Sequence, residues 1–164
     1  MHILMCNDDG ILADGLRHLA SYLSQYYRIT VVAPANEQSA KSHALTTEVP
    51  LKLDACNGED ENPRLYALTG TPSDCMKFGL SYLLTDDMPD LVISGINHGF
   101  NLGSDVLYSG TVSAAMESGF YGIPGLALSV ERYSVERGDE MHPFIHELIE
   151  KIYVAGQFSG FLNV

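Results

Sequence analysis

Positive charge is scarce in this chain: nine lysines and arginines stand against 21 aspartates and glutamates, a formal net charge of −12 over 164 residues. Nucleic-acid polymers are bound by neutralising phosphates with Lys and Arg, so this deficit argues against a polymer as partner. A small phosphorylated ligand is compatible with it, provided that a metal ion or backbone N–H groups supply local positive potential. Cysteine is also sparse. Cys6, Cys56 and Cys75 are odd in number and lack C-x-x-C spacing, so neither a zinc site nor a disulfide framework follows. No apolar run approaches the roughly 20 residues needed to span a bilayer. Asp8 and Asp9 interrupt the first apolar stretch too early for a signal sequence. The expectation is a soluble cytoplasmic protein with no membrane partner.

Phosphate-binding signatures are missing too. Nothing matches G-x-x-x-x-G-K-[ST], the first loop lacks G-x-G-x-x-G, and the acids at positions 8 and 9 are adjacent rather than spaced as D-x-D. Any phosphate would therefore be held by a metal with backbone and hydroxyl donors.

What is present is a globular composition, 46% hydrophobic and 18% charged, with length enough for one domain over residues 1–164. Strand and helix patterns alternate. Residues 2–6 form a buried strand, followed by a helical pattern through Leu16, Leu19, Ala20 and Leu23. Residues 28–33 are β-branched and stop at Pro34, as a central strand should. Residues 49–55 and 64–68 predict short strands joined by an acidic, solvated hairpin tip at 57–62. Thr71 and Pro72 open a helix to about residue 84, with Asp74 in its first turn. A central parallel strand at 90–94 leads into a Gly- and Asn-rich loop over 95–110. A helix from 111 to about 121, a strand at 125–130 and a last helix at about 142–155 complete the pattern. Such alternation predicts an α/β fold: a Rossmann-like, mostly parallel sheet with helices on both faces. Ligands of such sheets bind beyond the carboxyl ends of the strands.

Asn7-Asp8-Asp9-Gly10 lies where the first strand runs out. Two unpaired carboxylates cannot be buried there cheaply, and a hard divalent cation such as Mg²⁺, Mn²⁺ or Ca²⁺ would suit them. The alternative is helix capping, since Asp is favoured before a helix. The loop at 35–47 carries Asn36, Gln38, Ser39, Lys41, Ser42 and His43, all ordinary loop residues on their own. Asn97 and Asn101 supply neutral amides in the Gly-rich loop. Tyr108-Ser109-Gly110-Thr111 precedes a helix whose N-terminus suits a phosphate, although Ser109 or Thr111 there can equally be a cap.

Taken together these segments resemble the SurE family, the survival-protein nucleotidases. The match rests on Asn7-Asp8-Asp9-Gly10-Ile11, Val32-Ala33-Pro34, Gln38-Ser39 and Leu45-Thr46. It continues through Gly70-Thr71-Pro72-Ser73-Asp74-Cys75, Asp90-Leu91-Val92-Ile93-Ser94-Gly95-Ile96-Asn97 and Asn101-Leu102-Gly103. The stretch from Tyr108 to Glu117, and Gly122-Ile123-Pro124, complete it. The resemblance implies a metal-dependent phosphomonoesterase acting on nucleoside 5′- and 3′-monophosphates, with short polyphosphate as a further substrate. It implies one divalent cation (Mg²⁺, Mn²⁺ or Ca²⁺) per subunit, held by Asp8, Asp9, Ser39 and Asn97. Asp8 or Asp9 would act as general base, and Asn7, Asn101, Ser109, Gly110 and Thr111 would form the phosphate pocket. It also implies a homodimer or homotetramer, and a further C-terminal family segment that this chain lacks. Ala40 stands where members of the family often carry Gly. A non-hydrolysing nucleotide-binding regulator is the alternative function.

Overall fold

A computed structural model of the chain describes residues 1–154 and 158–164. Seven strands form one sheet in the order β3-β4-β2-β1-β5-β6-β7. They are β1 (His2–Cys6), β2 (Arg28–Pro34), β3 (Leu53–Ala55), β4 (Arg64–Leu68), β5 (Leu91–His98), β6 (Gly125–Val130) and β7 (Phe161–Asn163). All neighbouring pairs are parallel except the edge pair β3–β4.

The central strands are apolar throughout because both faces are covered. Alternate side chains point to opposite faces. Ile3 and Met5 of β1 join a core with Ile29, Val31, Leu91 and Ile93, against α1 (Asp14–Leu23) and α4 (Val135–Val154). Leu4 and Cys6 join Val32, Val92, Cys75 and Met76 on the other face, against α2 (Pro72–Phe78) and α3 (Gly110–Glu117). The expected two-faced α/β architecture is the one observed.

Several expected boundaries move. The strand expected at 49–55 is reduced to β3, since the stretch before Leu53 is exposed and unpaired in the sheet. Strand β5 extends to His98 rather than stopping at Ser94, because an irregularity between Ser94 and Asn97 lets pairing with β6 resume. The helix expected to run from Thr71 to residue 84 is α-helical only to Phe78, then continues as a π-helical turn over Gly79–Leu83. The last helix begins at Val135, not near His142, with Pro143 inside it. Gly138, in its first turns, packs close beneath Tyr133: a Cβ there would lie 2.5 Å from Tyr133 Oη. Residue 155, expected to end this helix, lies outside the described residues. The short strand β7 was not expected. The hairpin tip at 57–62 is more than a solvated turn, because Asn62 Oδ1 accepts from Ile29 N at 2.8 Å and Nδ2 donates to Ser24 O and Tyr27 O at 2.9 Å.

The capping box that starts α2 is present, with Thr71 Oγ1 accepting from Asp74 N at 3.1 Å and Asp74 Oδ2 from Thr71 N at 2.9 Å. On the opposite edge of the fold His2 is buried, with Nε2 2.9 Å from Thr30 Oγ1 and Nδ1 3.1 Å from Asp87 O. Burial, reinforced by Arg28, holds its pKa below the usual value of 6.5. Burial does the same for His142, whose Nε2 has no hydrogen-bond partner among the described residues.

Both histidines are therefore neutral in the folded state at pH values where the unfolded chain is already protonated. Their contribution to stability is complete above about pH 6.5 and is lost as pH falls below it, by at most about 1.4 kcal/mol per pH unit for each proton. The raised carboxyls of Asp8 and Asp9 act in the opposite sense over the same range, so the test is a difference. In thermal melts between pH 7.5 and 5, the Tm of the unmodified protein should drop relative to that of His2→Gln as pH falls. An identical pH dependence of Tm in the two proteins would contradict the assignment.

Candidate functional site

In this strand order β1 lies between β2 and β5, so the chain leaves β1 toward one side and returns to its other side. That reversal opens a crevice at the carboxyl ends of β1 and β5. Asp8 and Asn97 both stand there.

Asn7 is fully buried and shapes the turn. Its Oδ1 accepts from Gly10 N and its Nδ2 donates to Gly10 O, each at 3.1 Å. The residue before α1 is Ala13, which makes no side-chain cap. Asp8 and Asp9 are thus not spent on helix capping. Asp8 is 5% exposed, and Thr111 Oγ1 donates to its Oδ1 at 2.6 Å. Burial raises the Asp8 pKa, and the Thr111 hydroxyl opposes the shift. Asp9 Oδ2 is buried with no hydrogen-bond partner among the described residues. Burial and the neighbouring Asp8 push the Asp9 carboxyl up to about 6, with His98 acting in the opposite direction.

The segment after β2 is tied to both neighbouring loops. Gln38 N donates to Asp8 O at 2.7 Å, and Ser42 N donates to Tyr108 O at 3.1 Å. Ser42 Oγ donates to Leu107 O at 2.7 Å. Ser39 is exposed, its hydroxyl donating to Glu37 Oε1 at 2.7 Å. His43 pairs instead with the buried Glu117, Nε2 to Oε2 at 2.6 Å, on the wall of a separate cavity with Lys77 and Phe120. Asn97 Nδ2 donates to Gly99 O at 2.8 Å. Asn101 Nδ2 donates to Ser129 Oγ at 3.0 Å, and its carbonyl accepts from Asn163 Nδ2 at 2.8 Å. Ser109 is the N-cap of α3, its hydroxyl accepting from Val112 N at 3.1 Å.

Asp8, Ser39, Asn97, Asn101 and Ser109 line one cleft of about 250 Å³, together with Ala40, His98, Asp105 and Tyr108. Asn7, Asp9, Gly110 and Thr111 are not among its lining residues: Asn7 braces the turn, and Thr111 is directed to Asp8. Gly110 is the close-approach position, where a Cβ would sit 2.9 Å from Asp8 Cβ and 3.0 Å from Pro72 Cγ. Glu37, His98 and Asp105 are not candidates from sequence. His98 carries no local signal, because β5 reaches it only through the irregular register against β6 between Ser94 and Asn97.

No Lys or Arg lines the cleft, and no group of three or more His, Cys, Asp or Glu is arranged for a metal among the described residues. A cation here would be held by two carboxylates and neutral oxygens, the donor set of a hard ion. The orphaned Asp9 Oδ2 fits that use.

Fold and site together define an α/β protein with an acidic, oxygen-rich cleft at its topological switch point. The Survival protein SurE family model matches residues 3–164, and the chain belongs to the SurE family. It is 49% identical over 156 residues to a 5′-nucleotidase SurE of Thermoanaerobacter sp. (strain X514), covering 95% of this chain and 61% of that protein. It is 50% identical over 130 residues to the 5′-nucleotidase SurE of Vibrio vulnificus (strain YJ016), covering 79% of this chain and 49% of the relative. The crystal structure of the SurE protein from Aquifex aeolicus superposes with a TM-score of 0.81 at 38% identity, covering 93% of this chain and 60% of that one. The chain thus spans about three fifths or less of the length of these relatives.

Ala40 adopts φ 57, in the left-handed region. An L-residue with a Cβ pays roughly 1–2 kcal/mol there, partly offset by the backbone entropy that glycine loses on folding. Ala40→Gly should therefore stabilise the protein by about 0.5–1 kcal/mol, read as a higher urea midpoint. A lower midpoint would show that the loop is not held in this conformation.

Proposed function

We propose that the protein is a divalent-metal-dependent phosphomonoesterase that hydrolyses nucleoside 5′- and 3′-monophosphates, with short polyphosphate as a further substrate. The observation that carries this reading is the adjacent pair of a buried Asp8 and a half-buried Asp9 whose Oδ2 is buried and unpartnered among the described residues. Family membership and relatives named 5′-nucleotidase support the same reading. Asp8, Asp9, Ser39 and Asn97 would hold one Mg²⁺, Mn²⁺ or Ca²⁺ per subunit. A cation bound there supplies Lewis-acid polarisation of a phosphoryl oxygen and acidifies water.

The chain's own groups do the rest. Ser109 and Asn101, on the wall of the cleft, orient the phosphoryl oxygens and stabilise charge that develops on them. Gly110 and Thr111 stand behind Asp8, the glycine permitting close packing and the hydroxyl fixing the carboxylate. Asp8 is engaged by Thr111, so Asp9 is the carboxylate free to take the proton from attacking water, a role worth about 10²–10⁴-fold in rate. Residues 1–164 form a single domain of a cytoplasmic protein that assembles as a homodimer or homotetramer where the C-terminal family segment is present. Exposed Leu102, Leu107 and Phe120 are the kind of side chains such assembly would cover. No helix among the described residues is long and apolar enough to cross a membrane.

Asp8→Asn keeps the size of the side chain and its bond with Thr111 while removing charge. It should retain the fold by circular dichroism and lose at least about 100-fold in phosphate release from AMP. EDTA should abolish release by the unmodified protein, and Mn²⁺ or Mg²⁺ should restore it. Near-native turnover by the variant would sink the metal-centre reading.

A further inference from the structure

A second cavity, of about 290 Å³, opens at the carboxyl edge on the β2–β4 side of the site. It shares a wall with the acidic cleft. Asn36 and Gln38 face the second cavity, while Ser39 and Ala40, the next residues along, face the cleft. The bond from Gln38 N to Asp8 O, 2.7 Å, holds the two together. Val49, 62% exposed, supplies apolar surface, with the fully buried Leu68 behind the wall.

The chemistry of the lining is narrow. No charged side chain lines this cavity, so a second phosphate would find no counter-charge there. The hydroxyls around it are already engaged. Thr46 Oγ1 donates to Asp74 Oδ2 at 2.6 Å, Thr71 Oγ1 donates to Ala44 O at 2.6 Å, and Thr69 Oγ1 accepts from Lys52 N at 2.8 Å. The carboxamides of Asn36 and Gln38 make no hydrogen bond to any described residue. Each offers a donor and an acceptor side by side, the complement of a nucleobase edge such as N6 and N7 of adenine. Apolar surface beside neutral, convergent polar groups is the usual make-up of a small-molecule pocket.

We propose that this cavity is the nucleoside subsite: the base is read by the Asn36 and Gln38 carboxamides and packs on Val49, while the phosphate lies across the shared wall in the acidic cleft. The assignment rests on the phosphomonoesterase reading for its substrate class. It adds where the base goes and which residues discriminate it.

Two measurements on the unmodified protein, Asn36→Ala and Val49→Trp test it. Asn36 and Val49 are both exposed at the rim, so neither change disturbs the core. Calorimetric titration with adenosine needs neither phosphate nor turnover; binding should weaken at least 10-fold in both variants. The ratio of kcat/KM for AMP over ribose 5-phosphate should also fall at least 10-fold in both. Hydrolysis of AMP and ribose 5-phosphate with equal kcat/KM by the unmodified protein, without adenosine binding, would overturn the subsite and leave the phosphatase reading standing. Adenosine binding that depends on Asn36 and Val49, with no hydrolysis of either ester, would support the subsite and remove the phosphatase reading.

Discussion

Two adjacent carboxylates at the end of one strand, one buried and the other half-buried, are the constraint on which the rest of this structure depends. Desolvating a carboxylate without a partner costs several kcal/mol, and Asp8 and Asp9 are adjacent, so each also raises the other's cost. The surrounding sequence answers the first half of that problem. Asn7 clamps the turn that carries them, Thr111 donates to Asp8, and Gly110 lets α3 approach to a distance that no side chain would permit. Nothing among the described residues answers the second half. Asp9 keeps a buried, unpartnered oxygen and a carboxyl raised to about 6. A structure that holds one acid firmly and leaves its neighbour unsatisfied has a place for positive charge.

The fold decides where that place is. With β1 lying between β2 and β5, the loops that follow these three strands converge on one crevice. Each loop arrives with its own tether: Gln38 to Asp8, Ser42 to the carbonyls of Leu107 and Tyr108, Asn163 to Asn101. These bonds join segments remote in sequence, so the spacing of Ser39, Asn97 and Ser109 about the acids is a property of the sheet order and not of any single motif. The segment from Asn36 to Ala40 divides the region into a charged side and a neutral side. A molecule with an anionic end and an uncharged, hydrogen-bonding end fits that division.

The sheet was legible in the sequence because its physics is local. Runs such as His2 to Cys6 and Leu91 to Ser94 have no polar face, which only a strand covered on both sides can sustain. Thr71, Pro72 and Asp74 announced the start of α2, and the capping box is there. The misplaced elements depend on distant partners. The first turns of α4 pack Gly138 beneath Tyr133, and the extension of β5 to His98 relies on an irregular register against β6. The site divides in the same way. Asp8 and Asp9 could be posed as an electrostatic problem from residues alone, yet capping competed with that reading until Ala13 was seen at the head of α1. Ser39 and Asn97 were ordinary loop residues except through resemblance to a family. The Thr111–Asp8 bond, across 103 positions, had no local signature at all.

The central claim is that the Asp8–Asp9 pair holds a divalent cation, and metal binding measured apart from catalysis tests it most directly. Calorimetric titration with Mn²⁺ should show one site per subunit in the unmodified protein and loss of that site in Asp9→Asn, with the fold retained. Stoichiometric binding that persists undiminished in Asp9→Asn, or no binding to the unmodified protein, would contradict the account.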